Sequence, residues 1–234
     1  MPDRGLLERD AIVAEPLARG GPEGWEMTGV RMAQVTFEMA REPAVAAMPG
    51  DVSRPVPCYG RVFLLEAATS PAGPFRLAAL LVGGRYRMMP RNVLVEGIVD
   101  GPLKGIASAF GSPFRAGTVA INRDGARLTA TVEADEGRLC EVEIPALAAV
   151  DPTMLRWDAW LGFARDGDAL QLVEYGPQPR ASEAFLSKGG RVAMSGSLPR
   201  GHRWRQLRNL NTISACYLEG DGALSLPEVQ QAIL

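Results

Sequence analysis

The sequence predicts a mainly β fold of the α+β class, in which twisted antiparallel sheets are accompanied by a few short helices. Runs of β-branched and aromatic residues recur along the chain, separated by turn residues drawn from 26 glycines and 18 prolines. With 234 residues and 47% hydrophobic content, the chain can bury a sizeable core, and a single β-barrel of this length is ordinary. We therefore expect one domain spanning residues 1–234.

The first half of the chain alternates between strand patterns and turns. Residues 1–25 are expected to form a helix followed by a loop, because the helical spacing of 6–17 gives way to glycine and proline. The elements predicted for this half are a helix at 6–17, a strand at 30–39, a helix at 42–48, and strands at 59–68, 75–82 and 93–99.

The second half is predicted to continue as a meander of strands. Asp124-Gly125 supplies the turn of a hairpin, and Trp157 and Trp160 make the segment 155–163 aromatic. Residues 198–234 are expected to form a tail that packs on the barrel. The elements predicted for this half are strands at 117–121, 126–134, 138–144, 155–163, 170–175, 181–187 and 191–197, and a helix at 226–234.

Charge and hydropathy exclude several classes of protein. The formal net charge is −2, with 25 basic and 27 acidic residues mixed along the chain, so nucleic acids and anionic membranes are not expected partners. No run approaches the roughly 18 apolar residues of a membrane span. The acidic N-terminus also lacks the apolar core of a signal peptide, so we expect a cytoplasmic protein.

The cysteines and the histidine do not form a known catalytic or metal pattern. Cys58, Cys140 and Cys216 are widely spaced, without a C-x-x-C pair or a histidine cluster, so they are interpreted as buried thiols. His202 is the only histidine and lies in a basic run at 200–208, where a solvated surface role competes with acid–base chemistry. We expect no metal and no cofactor.

Residues 91–118 resemble the signature of the acetoacetate decarboxylase family, G-R-E-x-x-G-[FY]-P-K-K-L. The matching residues are V-E-G-I-V-D-G-P-L-K-G, followed by Gly117-Thr118-Val119 and the basic strand at 127–132. Upstream, the segments 48–50, 55–62 and 69–75 match the family's proline, strand and S-x-x-G-P-Y segments in order. The resemblance implies a barrel-like fold with an interior pocket and a homo-oligomer, for which the aromatic segment 155–163 could supply an interface.

The resemblance fails at the family's nucleophile. In the family, the first lysine of P-K-K forms a Schiff base with a β-keto acid, and the second lowers the pKa of the first. The first position is Leu103 in this sequence and the second is Lys104. If Lys104 continues a strand, its side chain points to the face opposite that of Leu103.

Three further polar positions of the family are also apolar here. Two family glutamates correspond to Val62 and Leu77, and a family arginine corresponds to Val30, with Arg31 one residue away. We therefore expect Val62, Leu77 and Leu103 to line one apolar cavity.

The polar groups expected near this cavity are few. Period-two geometry directs Leu64 and Glu66 to the same side as Val62. Glu66, Arg31 and Tyr86 are then the candidates for orienting a ligand.

Three functions remain open. The first is an enzyme of lyase or cyclase type, without a metal or a Schiff base, that converts a hydrophobic keto- or polyketide-like molecule of secondary metabolism by cyclisation, dehydration or decarboxylation. The second is a non-catalytic binding or carrier protein for such a molecule. The third is a decarboxylase in which Lys104, turned inward by a bulge, acts as a relocated Schiff-base lysine, with Glu66 and Arg31 as catalytic partners.

Overall fold

The structure, a computed structural model, describes residues 4–8, 12, 14–16, 25–110, 113–155, 157–224 and 228–233. In these described residues strands dominate, and three short helices and one turn of 3-10 helix at Pro152–Met154 accompany them. The helices are α1 (Arg41–Ala46), α2 (Leu103–Phe110) and α3 (Arg203–Gln206). The strands are β1 (Glu15–Pro16), β2 (Trp25–Glu38), β3 (Tyr59–Thr69), β4 (Phe75–Tyr86), β5 (Met89–Asp100), β6 (Phe114–Ala116), β7 (Thr118–Asp124), β8 (Arg127–Ala134), β9 (Gly137–Ile144), β10 (Ala148–Val150), β11 (Trp160–Asp166), β12 (Ala169–Tyr175), β13 (Pro177–Ser187), β14 (Arg191–Met194), β15 (Asn211–Leu224) and β16 (Glu228–Ile233).

Two sheets form the framework. The larger has 12 strands, with the path β10-β13-β15-β2-β3-β4-β5-β11-β12-β16 and with β1 and β6 attached at its side, and the smaller has the order β14-β9-β8-β7. Most pairs are antiparallel, whereas β1 with β11, β11 with β5, and β5 with β6 are parallel. The mainly β prediction is confirmed, but the sheets do not close into a true barrel.

The central strands bury both of their faces. One face packs against the small sheet, in a cluster that includes Val62 and Leu64 of β3 and Val132 of β8, which we call the inter-sheet core. The opposite face packs against α2, in a cluster that includes Phe63 and Leu65, which we call the helix-side cluster. Because successive side chains of a strand point to opposite faces, a shift of one residue along β3 moves a side chain from one cluster to the other.

The helix predicted at 6–17 is wrong for the residues that the structure describes. Leu7 forms a parallel bridge with Pro49, the Gly5 amide donates to the Val52 carbonyl, and Glu15–Pro16 pairs with β11 as strand β1. Backbone pairing with distant segments therefore satisfies this region's hydrogen bonds, which local helical spacing does not anticipate. The predicted helical residues 9–11, 13 and 17 lie outside the described residues.

The C-terminal region also differs from the prediction. Residues 211–224 form β15 between β13 and β2, so this part of the predicted tail is an interior strand of the large sheet. Its alternation buries Tyr217 in the inter-sheet core and Leu218 in the helix-side cluster. The helix predicted at 226–234 is instead strand β16 over Glu228–Ile233, which pairs with the free edge of β12. Residues 226, 227 and 234 lie outside the described part of the chain.

Candidate functional site

The segment that carries Leu103 and Lys104 is a helix rather than a strand. β5 ends at Asp100, and Gly101 adopts a φ of 142°, which only glycine tolerates easily, before α2 begins at Leu103. Ile106 and Phe110, four residues apart, anchor α2 in the helix-side cluster, and Leu103 packs against the same cluster. Lys104 is exposed. The strand geometry predicted for Lys104 is therefore wrong, although its side chain does lie apart from that of Leu103.

Three apolar replacements of polar family positions lie in the same cluster. Val30 and Leu77 are 1% and 0% exposed in the helix-side cluster, and the partly buried Leu103 packs against it. β2 and β4 each pair with β3, and α2 lies across the resulting face. Val30 and Leu77 thus belong to one apolar cluster and Leu103 packs against it, at the positions that the resemblance aligns with the family's arginine, one glutamate and first lysine.

Val62 and Leu64 do not belong to this group. Leu77 pairs with Leu65 across the strands, whereas Val62 pairs with Leu80, and Val62 and Leu64 point into the inter-sheet core. The prediction that Val62, Leu77 and Leu103 line one cavity is therefore wrong for Val62. The physical reason is parity, because Val62 and Leu65 are an odd number of residues apart on one strand.

Aromatic side chains fill the helix-side cluster. The ring of Phe63 lies edge-on to Trp160 at 4.8 Å and to Trp157 at 5.8 Å between centroids. Phe110 lies edge-on to Trp25 and tilted relative to Trp160, with centroid distances of 6.0 Å in both pairs. The sequence analysis did not assign Phe63 or Trp157 to the site. Phe63 follows Val62 directly and Trp157 lies in the aromatic segment 155–163, so the sequence contained a signal for both residues.

Polar contacts hold the segment that carries Trp157. Arg61 Nη1 lies 2.8 Å from Asp158 Oδ2 and donates to Asn92 Oδ1 at 2.9 Å. The backbone N–H of Asn92 in turn donates to the backbone carbonyl of Ala159 at 3.0 Å. These bonds fix the chain between the 3-10 turn and β11, and so set the position of the indole of Trp157.

A cleft of about 420 Å³ opens beside the helix-side cluster, and we call it the apolar cleft. Its walls include Leu155, Trp157, Ala181 and Leu218, all of which also contact that cluster. Among the described residues that line it, none has an ionisable side chain. Among the described lining residues, the side-chain polar groups are the indole N–H of Trp157 and the hydroxyl of Thr153, and this hydroxyl donates to Asp151 at 2.7 Å.

The structure brings Arg31 and Glu66 together, but on the opposite face of the sheet. They are cross-strand partners with Arg31 Nη1 3.5 Å from Glu66 Oε2, and Arg76 Nη2 lies 3.0 Å from Glu66 Oε1. Arg31 and Glu66 line a separate cleft of about 630 Å³ together with Arg180 and Asp221, which we call the charged cleft. Neither predicted catalytic partner therefore faces Leu77 or Leu103.

Glu219 is the central acid of this charged region, and sequence reasoning missed it. Arg123 Nη1 lies 3.1 Å from Glu219 Oε1, and the Tyr217 hydroxyl donates to the same carboxylate. The Tyr217 hydrogen bond, together with Arg123 and Arg31, lowers the pKa of Glu219. Arg123 also lies 4.1 Å above the ring of Phe185. These groups come from four distant parts of the sequence, so no local motif revealed them.

The remaining predicted candidates occupy structural positions. Tyr86 is buried in the inter-sheet core at the end of β4, on the face opposite that of Leu77. The His202 side chain is 13% exposed, with Nε2 3.3 Å from Arg115 Nη2 and 3.7 Å from Glu136 Oε1, so it lies at the inner side of a partly exposed ionic network.

The predicted buried, free thiols are confirmed for Cys58, Cys140 and Cys216. Burial raises the pKa of the Cys140 thiol and raises that of Cys216 to about 12. No helix in the described parts of the chain is long and apolar enough to cross a membrane.

Comparison with known proteins identifies the fold. No family model matches the chain, and no curated protein has significant similarity to it. Among solved structures, an acetoacetate decarboxylase superposes with a TM-score of 0.77 at 14% identity over 93% of this chain and 92% of that chain. The enduracididine biosynthesis enzyme MppR gives 0.74 at 14% identity over 92% and 93% of the two chains. An acetoacetate decarboxylase-like enzyme from Sphingomonas wittichii gives 0.73 at 14% identity over 94% and 100%. The chain therefore has the acetoacetate decarboxylase-like fold.

Proposed function

We propose that this chain is an enzyme of acetoacetate decarboxylase-like fold that acts without a Schiff base on a hydrophobic keto- or polyketide-like molecule. The observation that carries this proposal is the shared location of Val30, Leu77 and Leu103 in one apolar cluster beside the apolar cleft. A small keto acid would bury its carboxylate there without a paired charge, which is costly. A larger and less polar carbonyl compound gains from the same surface.

The cleft can accelerate a reaction by restricting conformation. With no ionisable side chain among its described lining residues, proton transfer by the cleft itself is disfavoured. Holding a flexible substrate near its reactive geometry can still lower the barrier of a cyclisation or dehydration considerably. The solved complex of MppR with the condensation product of pyruvate and imidazole 4-carboxaldehyde supports a carbonyl compound as the class of ligand, although that product is a keto acid rather than an apolar molecule.

A non-catalytic carrier is the second candidate. The same lack of ionisable groups favours it, and the Thr153 hydroxyl is already engaged by Asp151. Binding and conversion are therefore to be measured on the same sample. A relocated Schiff-base role for Lys104 requires an exposed side chain on α2 to turn toward the cluster, and it is the weakest of the three proposals.

The test uses hexyl acetoacetate as a neutral, apolar keto ester and acetoacetate as its charged, compact counterpart. We expect hexyl acetoacetate to produce a saturable change in tryptophan fluorescence, because Trp157 lines the cleft, and acetoacetate to produce none. Leu155→Glu places a charge in the cleft wall and should abolish the response. Leu210→Glu, at a position that is 54% exposed, is the matched control.

Mass spectrometry with hexyl 3,5-dioxohexanoate separates an enzyme from a carrier, because the C5 enol oxygen of this ester can close on the ester carbonyl and release hexanol. A pyranone that forms only with active protein supports catalysis, whereas binding without any product supports the carrier. Equal binding by the Leu155→Glu and wild-type proteins would contradict both proposals.

A further inference from the structure

A second cavity lies away from the apolar cleft, where α1, α3, β5 and β11 meet. It has a volume of about 110 Å³, and we call it the α1–α3 cavity. Its apolar walls include Ala46 of α1, Ala47 just after α1, Val95 of β5, Phe163 of β11 and Leu207 after α3. It shares no lining residue with the apolar cleft among the residues described.

One cation lines this cavity. Arg203 contributes its guanidinium, and Gln206, the other polar lining residue among those described, is exposed. No carboxylate of the described residues lies within ion-pair distance of Arg203. Other partly buried arginines differ in this respect, since Arg61 pairs with Asp158 and Arg91 pairs with Glu174, both at 2.8 Å.

A bulge in β5 positions the guanidinium of Arg203. The register between β4 and β5 shifts between Leu80 and Leu81, which leaves Val95 without a paired residue on β4. Its carbonyl accepts a hydrogen bond of 2.8 Å from Arg203 Nη1. One nitrogen of the guanidinium is thus anchored to the backbone, and the rest of the planar group remains to donate to a ligand.

We propose that the α1–α3 cavity binds a short apolar monocarboxylate, whose carboxylate pairs with Arg203 and whose hydrocarbon part occupies the apolar volume. A planar guanidinium matches the geometry of a carboxylate and makes strong charge-assisted hydrogen bonds with it. Size limits the tail, because an apolar cavity of about 150 Å³ accommodates benzene and this one is smaller. A dianion is disfavoured, since no second cation lines the cavity among the described residues.

The experiment titrates the protein with hexanoate and with hexanol, its neutral analogue, by isothermal calorimetry. We expect hexanoate to bind more tightly than hexanol. Arg203→Gln should weaken hexanoate about tenfold or more and leave hexanol nearly unchanged. Arg208→Gln, at an exposed arginine just beyond α3, should leave both affinities as they are.

A second variant fixes the location without changing the charge. Ala47→Leu fills part of the cavity and should weaken both ligands, with circular dichroism showing that each variant is folded. Leu155→Glu, in the other cleft, should not affect hexanoate, so this proposal and the proposed function fail independently. Absence of hexanoate binding, equal binding by the Arg203→Gln protein, or equal binding by the Ala47→Leu protein would each overturn the proposal.

Discussion

The helix-side face of strands β3 and β4 is apolar, whereas their inter-sheet face changes from an apolar core to paired charges near one end of the strands. On the helix side, Phe63, Leu65 and Leu77 form part of an apolar cluster. On the inter-sheet side, near the ends of the same strands, Glu66 is paired with Arg31 and Arg76. The position of any residue in the site is therefore decided by its parity along the strand, and a polar residue one position away from an apolar one contributes nothing to the same cavity.

The comparison also separates two kinds of stabilisation. The apolar cluster gains free energy from burial and tolerates no unpaired charge. The ion pairs of Glu66 with Arg31 and Arg76, which we call the charged face, are partly exposed. Each of these pairs contributes little to the free energy of folding. Changes to the first face should consequently be much more damaging than changes to the second.

The largest effect is expected for Leu77→Glu. Leu77 is fully buried among apolar side chains, so the new carboxylate would have no partner and should destabilise the protein by about 3–5 kcal/mol. Urea unfolding measures this loss, with Glu66→Gln on the other face as the matched variant. Similar free energies of unfolding for the two variants would contradict the expected difference in sensitivity between the two faces.

A smaller loss is expected for Trp157→Ala. The indole is only partly buried, so its removal should cost about 2 kcal/mol, below the roughly 3–5 kcal/mol typical of a fully buried aromatic residue. Binding of hexyl acetoacetate, followed by calorimetry, should also be lost. Met154→Ala, at a position that is 64% exposed on the neighbouring 3-10 turn, should change neither quantity. Intact binding by the Trp157→Ala protein would place the ligand elsewhere.

The charged face should be visible in the pH dependence of stability. The Tyr217 hydrogen bond and the neighbouring arginines lower the folded-state pKa of Glu219 from its ordinary value of 4.5. The unfolded state then binds the proton more readily, so this contribution is present above about pH 4.5 and is lost as pH falls through the folded pKa. Unfolding free energies measured from pH 6 to pH 3 should therefore decline less steeply for Glu219→Gln. An unchanged dependence of the unfolding free energy on pH would mean that the ionised Glu219 side chain does not stabilise the folded state.

The smallest effect is expected from the pair Arg31 and Glu66. Their side chains are 51% and 20% exposed, and the coupling from a double-mutant cycle of Arg31→Gln and Glu66→Gln should be about 0.2–1 kcal/mol. Urea unfolding of the four proteins provides the cycle. A coupling well above this range would show that the charged face stabilises the fold more than its exposure suggests.

Local patterns predicted the parts of the fold that depend on alternation. The strands expected at 30–39, 59–68 and 75–82 are confirmed as parts of β2, β3 and β4, because their apolar period is visible in the sequence. The helices predicted at 6–17 and 226–234 are wrong for the described residues. These residues pair with β11 or β12, or bridge to residues near α1, and all of these partners are far away in the sequence. Such pairing leaves no local signal.

The site was predictable to the same limited extent. Leu77 belongs to the helix-side cluster and Leu103 packs against it, so their shared cavity stays a prediction, whereas Val62 points to the opposite face because of its parity along the strand. The contact between Arg123 and Glu219 joins residues from β7 and β15, and the helical start of α2 at Leu103 follows from the turn at Gly101. Neither feature is encoded in a motif that one sequence displays.

Borohydride trapping with acetoacetate tests the central claim, that this fold works here without an imine, most directly. Lys104 and Lys188 are the only two lysines, and both are exposed, so Lys188 serves as an internal control for non-specific reaction. After reduction and proteolysis, mass analysis should show no greater modification of the Lys104 peptide than of the Lys188 peptide, and Lys104→Ala should leave any conversion of hexyl 3,5-dioxohexanoate unchanged. A reduced adduct that forms selectively on Lys104, together with an inactive Lys104→Ala protein, would contradict the account and establish a lysine-dependent mechanism.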